Sequence, residues 1–158
     1  MLGATGVGKT SLVRRYVESM FSEKYQATIG VKIDRKLVDH EGGQVSLLLW
    51  DLQGEDDLQK VRTTYLRGAA GLIYVADGTR PDTLDRALAI QRGAEDAVGS
   101  VPSLLFVNKS DLADEWAVTA ADQGARGPAG VDVFTTSART GANVEAAFAA
   151  LVRRMQAP

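Results

Sequence analysis

The stretch Gly3–Thr10 reads GATGVGKT and decides the fold, because it sets glycines and a lysine at a phosphate-binding spacing. It matches the pattern G-x-x-x-x-G-K-[ST], and an additional glycine inside it lets the backbone curl around an anion. The amides of such a loop form a nest for phosphate, and the following helix directs its positive end at the same group. Lys9 is predicted to reach the β- and γ-phosphates, and the Thr10 hydroxyl to be a ligand of Mg²⁺. By itself the loop does not distinguish ATP from GTP. The residues of this segment predicted to hold a nucleotide are Gly3, Thr5, Gly6, Val7, Gly8, Lys9, Thr10 and Ser11.

The base is indicated by a second motif, Asn108-Lys109-Ser110-Asp111. It follows an apolar run at the carboxyl end of a predicted buried strand, where open α/β sheets place ligand groups. Guanine presents two adjacent donors, N1–H and N2–H₂, that the Asp111 carboxylate accepts together, whereas adenine has an acceptor at N1. Asn108 and the aliphatic stem of Lys109 are predicted to brace the loop and cover the ring. Such a tetrapeptide is common in turns, but its order and distance after the phosphate loop strengthen the interpretation.

Apolar periodicity predicts one α/β domain over residues 1–158. Helical patterns cover residues 9–20, 56–66, 82–98, 115–125 and 143–155, and strand-like runs cover residues 31–38, 44–50, 72–76, 104–107 and 131–135. The first two runs form an antiparallel pair turned at residues 41–43, and the later strands alternate with helices. This alternation predicts a mostly parallel, doubly wound sheet of the P-loop NTPase class, flanked by helices and with one antiparallel edge strand.

The charge and the cysteine content of the chain argue against several classes of function. The chain is 45% hydrophobic, has a net charge of -2 and has no cysteine. The charge gives no broad reason to bind nucleic acid. Because these residues include no cysteine, we expect no disulfide, no thiolate metal site and no C-terminal prenylation. No apolar run approaches the roughly 20 residues of a spanning helix, so the expectation is a cytoplasmic protein without a lipid anchor of its own. Arg14 and Arg15 read as the solvated face of a helix.

Over essentially its whole length, the chain resembles the small GTPases of the Ras superfamily, and the Rab-like branch most closely. The motifs arrive in the order of that family: the phosphate loop, a first switch at Tyr25–Gly30, a second switch at Trp50–Asp56, then Asn108–Asp111 and Thr136–Arg139. The resemblance implies GTP and GDP as ligands and Mg²⁺ as cofactor. It also implies effector and regulatory proteins, including an activating protein and an exchange factor, that bind near Thr28 and Gly54.

Around the base, the resemblance implies that Phe21 packs edgewise on guanine and that the Ala138 amide meets guanine O6, with Ser137 and Arg139 beside it. Around the phosphates, further roles follow from the same resemblance. Thr28 gives Mg²⁺ a second hydroxyl, Asp51 holds the water shell of the metal, and the Gly54 amide meets the γ-phosphate.

Two of these residues can also be interpreted without the family resemblance. Asp51 ends an apolar strand-like run, so it is either a ligand group at the carboxyl edge of the sheet or a helix N-cap. Thr28 is either a metal ligand or part of an ordinary entry into a strand.

Catalysis is assigned to Lys9, Thr28, Gly54 and Glu55, and the last of these departs from the family pattern. Glu55 falls where most Ras-like proteins carry the glutamine that orients the attacking water. An ionised glutamate accepts but does not donate, and it brings negative charge toward the phosphoryl group. Gln53 is a second departure, and we hypothesise that it substitutes in part for that glutamine. Slow intrinsic turnover is the expectation, because the stretch just ahead of Thr28 has no arginine that could serve as a finger in cis. Thr5 also crowds the space that an incoming arginine would use.

The N-terminus carries a further expectation. In this fold the strand before the phosphate loop is central, between the strands that run through Leu49 and Ile73. Met1 and Leu2 are predicted to be the tail of that strand, with the true start several residues upstream, since an absent central strand leaves interior backbone groups unpaired.

The leading interpretation is a GTP-binding molecular switch that hydrolyses GTP to GDP and phosphate. The alternative is a GTP-dependent binding module with little intrinsic hydrolysis, in which Glu55 marks lost catalysis. A P-loop ATPase is a third reading, and Asp111 argues against it because a carboxylate facing adenine N1 is mismatched.

Overall fold

The computed structural model describes residues 1–40, 42–54, 63–119, 122 and 131–157. In these ranges the strands are β1 (Leu2–Gly3), β2 (Val31–His40), β3 (Gly43–Leu52), β4 (Leu72–Asp77), β5 (Ser103–Asn108) and β6 (Asp132–Thr135). The helices are α1 (Lys9–Glu18), α2 (Pro81–Val98) and α3 (Val144–Gln156), with short 3₁₀ turns at Thr63–Tyr65 and Ala113–Glu115.

The main sheet is parallel, with strand order β1-β4-β5-β6. Leu2 pairs with Tyr74, and the register then runs from β4 to β5 and from β5 to β6. Strands β2 and β3 form a separate antiparallel pair, in which Val31 lies opposite Leu52. The predicted doubly wound α/β architecture with an antiparallel strand pair is therefore confirmed.

Both faces of the parallel sheet are covered, because its central strands are apolar on both sides. Along β4, Ile73 and Val75 face the cluster that contains α1 and α3, whereas Tyr74 and Ala76 face the cluster that contains α2. Such near-continuous apolar strands are typical of parallel sheets buried between helices. This layering leaves the carboxyl ends of the strands free to carry polar groups.

The N-terminal residues contact a strand of each sheet. Leu2–Gly3 pairs with β4 on one side, and the amino group of Met1 donates to the Trp50 carbonyl oxygen of β3 at 2.6 Å. Among the described residues β1 is paired with β4 alone, and the single bond from Met1 is the hydrogen bond that reaches β3. The predicted central position of this strand, with a partner on both sides, therefore stays a prediction. The expectation of a longer strand upstream stays a prediction.

The prediction of a helix over residues 115–125 is wrong for residues 116–119, which are not helical. The amides of Ala117 and Val118 instead donate to the Gly78 carbonyl oxygen, at 2.8 and 3.0 Å. Trp116 packs on the same glycine so closely that a Cβ there would lie 1.9 Å from the indole ring. The apolar residues of this segment therefore serve a tertiary contact with the turn after β4 rather than a helix face.

A helix was also predicted over residues 56–66. Of these, residues 63–65 form a short 3₁₀ turn, and residues 56–62 lie outside the described ranges. Residues 120, 121 and 123–125 of the other predicted helix lie outside them as well. No described helix has the length and apolarity needed to cross a membrane.

Candidate nucleotide site

The phosphate loop joins β1 to α1, and its glycines adopt conformations that other residues reach only at a cost. Gly3, Gly6 and Gly8 have φ of 152°, 75° and 102°. Close packing adds to this requirement, since a Cβ on Gly3 would lie 2.4 Å from the Val75 carbonyl oxygen. The sequence folds locally into this loop because only glycine supplies both positive φ and room for neighbouring backbone.

Lys9 lies inside the loop. Its Nζ donates to the carbonyl oxygens of Gly3 and Ala4, each at 2.9 Å, and the side chain is buried. A buried ammonium needs such partners, because an uncompensated charge in the interior is costly. The two carbonyl oxygens hold the charge of Lys9 beside the backbone of the loop.

Two hydroxyls and a carboxylate converge next to Lys9. Thr10 Oγ1 lies 2.6 Å from Thr28 Oγ1 and donates to Asp51 Oδ2 at 2.5 Å. Asp51 is fully buried at 0% exposure, and its Oδ1 has no hydrogen-bond partner among the described residues. A buried carboxylate oxygen without a partner is expensive unless a cation or water completes it. Hydroxyl and carboxylate oxygens suit Mg²⁺, so this donor set fits the predicted metal.

The start of the predicted second switch lies against the phosphate loop. The Thr5 hydroxyl donates to the Gly54 carbonyl oxygen at 3.1 Å, and a Cβ on Gly54 would lie 2.7 Å from Thr5 Cα. Gln53 connects the two predicted switch segments. Its side-chain Oε1 accepts from the backbone N–H of Gly30 at 3.1 Å, and its backbone N–H donates to the Gly30 carbonyl oxygen at 2.8 Å. The hypothesis that Gln53 acts on the attacking water stays a prediction, and that action would require its Oε1 to leave Gly30. Glu55 lies outside the described residues.

Asn108 is the centre of the base side of the site. Its Nδ2 donates to the Val7 carbonyl oxygen at 3.1 Å, and its Oδ1 accepts from the Ala138 amide and from the Thr136 hydroxyl, both at 3.2 Å. One buried side chain thereby joins the phosphate loop to the segment after β6. The predicted bracing role of Asn108 has a direct geometric counterpart in these bonds.

Asp111 and Lys109 leave the end of β5 in different directions. Asp111 Oδ1 accepts from the Ser137 hydroxyl at 2.7 Å, which orients the carboxylate. Lys109 has φ of 75°, and its Nζ lies 2.7 Å from Asp77 Oδ2. The aliphatic stem of Lys109 therefore lies along the cavity wall between its backbone and Asp77. This position is compatible with its predicted role of covering the guanine ring.

Arg15 corrects a sequence interpretation. Its Nε donates to the Ala138 carbonyl oxygen at 2.7 Å, and its Nη2 donates to that of Arg139. Arg15 is thus a structural support of the segment after β6 rather than a solvated charge. Arg139 in turn pairs with Glu23 at 3.1 Å, which ties this segment to the stretch that holds Phe21.

A cavity of about 430 Å³ passes between these groups. Of the residues predicted from sequence, those that line it are Thr5, Gly6, Gly8, Lys9, Thr10, Ser11, Phe21, Thr28, Gly54, Asn108, Lys109, Asp111, Ala138 and Arg139. Gly3, Val7, Asp51 and Ser137 lie behind the wall and hold lining residues in place through the hydrogen bonds described above. The structure therefore brings the predicted phosphate, metal and base residues together around one cavity.

The sequence interpretation missed Asp77 and Arg80, at and after the end of β4. Asp77 is 1% exposed and accepts from Lys109 and from Arg80, whose Nη2 also donates to the Thr5 carbonyl oxygen at 3.0 Å. A signal for Asp77 was present, since it ends an apolar run in the same way as Asp51. Arg14, read as solvated, also lines the cavity.

The comparisons agree with this geometry. A model described as the Ras family matches residues 1–157. The chain belongs to the Ras family. It is also similar to the Ras-related protein Rab-13 of Bos taurus, with 36% identity over 156 residues that cover 97% of this chain and 76% of the relative. The Rab-13 proteins of Canis lupus familiaris and Rattus norvegicus are each 34% identical, over 160 and 156 residues, with the same coverage.

Membership of this family indicates the general function of the site. This Ras-family protein is Rab-like and is in general terms a guanine-nucleotide-binding GTPase. Within the described residues no group of three or more His, Cys, Asp or Glu side chains is arranged to hold a metal ion. The Thr10, Thr28 and Asp51 set has a single carboxylate, as expected for Mg²⁺ held together with nucleotide phosphates.

Proposed function

We propose that this Ras-family protein is a molecular switch that binds GTP with Mg²⁺, hydrolyses it slowly to GDP and phosphate, and presents two segments to partners according to the nucleotide. The observation that carries the proposal is the convergence of both switches on the phosphate loop. Thr28 of the first switch lies 2.6 Å from Thr10, and Gly54 of the second is bonded to Thr5. Segments held by contacts around a γ-phosphate are released when that phosphate leaves.

The chemistry needs charge stabilisation and positioning more than covalent steps. Lys9 holds a positive charge inside the loop, next to where the β- and γ-phosphates would lie. Thr10, Thr28 and Asp51 would hold Mg²⁺, which supplies further charge stabilisation at the phosphates. The Gly54 amide would meet the γ-phosphate, and Glu55 would accept a proton from the attacking water or orient it.

Base selection would rest on Asp111. Its carboxylate, oriented by Ser137 at 2.7 Å, would accept from N1–H and N2–H₂ of guanine. The Ala138 amide and the Phe21 ring would complete the base site. Partners would read the segments around Thr28 and Gly54, which are the ones that respond to the γ-phosphate.

A single-turnover assay tests this function. The purified protein is loaded with GTP and Mg²⁺, and the GDP formed is followed over hours beside Glu55→Gln and, as a control, Lys9→Ala. We expect slow conversion that changes in Glu55→Gln and little retained nucleotide in Lys9→Ala. GTP that stays bound and unconverted, in the wild-type protein and in Glu55→Gln alike, would instead support the GTP-dependent binding module. Preferential retention of ATP would contradict both.

A further inference from the structure

The turn after β4 carries a buried carboxylate with several partners. Asp77 Oδ1 accepts from the amide and the hydroxyl of Thr79, at 2.9 and 2.7 Å. Its Oδ2 accepts from Lys109 Nζ at 2.7 Å and from Arg80 Nε at 3.1 Å. Both carboxylate oxygens are thus satisfied by donors, and two of the donors are cations.

The two cations lead to opposite sides of the nucleotide site. Lys109 belongs to the base motif, whereas the Nη2 atom of Arg80 reaches the phosphate loop. Arg80 Nη2 donates to the Thr5 carbonyl oxygen at 3.0 Å and lies 3.6 Å from where a Cβ on Gly6 would be. A planar guanidinium can make both contacts at once, because its donors form a rigid fork. Asp77 therefore joins the base motif to the phosphate loop through one carboxylate.

The charge state agrees with this geometry. Burial alone would raise the pKa of Asp77, but the hydrogen bonds from Lys109 and Thr79 outweigh it and hold the pKa below its ordinary value of 3.8. Asp77 is therefore ionised at neutral pH and attracts both cations. Because the carboxylate is 1% exposed, solvent screens these contacts less than it would at the surface.

We propose that Arg80 and Asp77 are positioning residues that fix the phosphate loop relative to the base motif and so slow the release of the bound nucleotide. Among the described residues, the wall of the cavity does not include either side chain, so they act through Thr5 and Lys109. The inference rests on the proposed function, since it concerns the rate at which a guanine nucleotide leaves that same site. It assigns Arg80 no contact with the reacting phosphate.

The test measures release of fluorescently labelled GDP after addition of excess unlabelled GDP, with Mg²⁺ present. Arg80→Ala is expected to release GDP roughly three- to ten-fold faster, because the buried Asp77 loses a charged donor while the Arg80 side chain, 44% exposed, is partly screened by solvent. Arg80→Lys keeps the charge but lacks the fork, so we expect an intermediate rate. The single-turnover rate of GTP hydrolysis should change by less than about two-fold in both variants.

The matched control is Arg86→Ala, which removes an exposed ion pair with Asp82 on α2, at 3.4 Å, outside the site. Its release rate should equal that of the wild-type protein. Thermal unfolding verifies that every variant is folded, and Asp77→Asn provides a second route to the same loss.

Several results would overturn the inference. An unchanged release rate in folded Arg80→Ala and Asp77→Asn would show that the bridge does not hold the loops. A ten-fold fall in hydrolysis would place Arg80 at the reacting phosphate instead. Full restoration by Arg80→Lys would overturn the step that relies on the forked guanidinium, because a single charged donor would then hold the loop equally well. Failure of the wild-type protein to retain labelled GDP is a different outcome, because it would overturn the proposed function itself.

Discussion

Gly8 lies directly beneath the side chain of Asn108, so that a Cβ on Gly8 would come 2.3 Å from Asn108 Nδ2. The glycine also has φ of 102°, which a residue with a Cβ adopts only with strain. Contact and conformation therefore both require glycine at this position.

Gly8→Ala is expected to displace Asn108 from the Val7 carbonyl and to weaken both the fold and nucleotide binding. Gly68→Ala is the matched control, since Gly68 has φ of 77° but nothing within 4 Å of its Cβ position. Urea unfolding should show Gly8→Ala to be about 1 to 3 kcal/mol less stable than Gly68→Ala, the cost of an unsatisfied buried group. Equal losses in the two variants would contradict the role given to Asn108.

Gly54→Ala should discriminate between the two nucleotides. A Cβ there would lie 2.7 Å from Thr5 Cα and 2.9 Å from Thr5 N, so the second switch must move away from the phosphate loop. Because the Gly54 amide would meet only the γ-phosphate, we expect the affinity for a non-hydrolysable GTP analogue to fall about ten-fold more than that for GDP. Calorimetric titration of both ligands measures this ratio.

The clash at Gly54 is with backbone atoms, so removing the Thr5 side chain should not relieve it. Thr5→Gly added to Gly54→Ala is expected to leave the loss in place. Recovery in the double variant, or equal losses for both nucleotides, would disagree with the geometry.

Asp51→Asn should remove the effect of magnesium on nucleotide release. In the wild-type protein, chelation of Mg²⁺ is expected to speed GDP release strongly, because Asp51 Oδ1 has no partner among the described residues that could replace the ion. In Asp51→Asn, release should be fast both with and without the chelator. Asp39→Asn, on the exposed end of β2, is the control and should respond like the wild-type protein. A normal response to chelation in Asp51→Asn would rule out this carboxylate as part of the metal site.

The stability contributed by Asp77 should depend on pH with a definite sign. Its pKa is lowered on folding, because donors from Lys109 and Thr79 outweigh the opposing effect of burial. Its contribution is therefore fully present above the ordinary value of 3.8 and is lost as the pH falls through the lower pKa of the folded state.

Thermal unfolding of the wild-type protein and Asp77→Asn from pH 7 to pH 2.5 tests this. At pH 7 the variant should be about 1.5 to 3 kcal/mol less stable, as for other hydrogen bonds to charged groups, and the gap should narrow below pH 4. Asp132→Asn removes an exposed pair with Arg154 and should show a small gap throughout. A gap for Asp77→Asn that stays constant to pH 2.5 would contradict the ionised bridge.

The sequence correctly predicted those strands whose local apolar pattern matches their burial in the fold. The runs around Ile73 and Phe106 are apolar on both faces, as buried parallel strands require, and Asn108 follows one of them at the edge of the sheet where ligands bind. The turn between β1 and α1 has the glycine-dependent backbone that its sequence indicated, because Gly6 and Gly8 have positive φ. Its binding of phosphate stays a prediction.

What the sequence did not predict depends on contacts between distant residues. The Arg80 and Thr5 pair spans 75 positions, and Arg15 meets Ala138 over 123 positions. An arginine on a helix or in a turn has no local pattern that separates a solvated side chain from one that binds a distant carbonyl. The helix prediction was wrong at residues 116–119 for the same reason, since Trp116 packs on Gly78, which is distant in the sequence.

Asn108 has a consequence for protein engineering. Its one amide group bonds to Val7, Thr136 and Ala138. Under the proposed function, base preference and phosphate binding would therefore depend on a single side chain and could not be tuned separately at that position. Among the described residues the Asp111 carboxylate accepts a hydrogen bond from Ser137, which lies on the proposed base side of the site, so redesign toward an altered purine belongs at position 111. A library that randomised position 108 would return mainly unfolded or empty proteins, whereas one at position 111 would sample ligand choice in an intact scaffold.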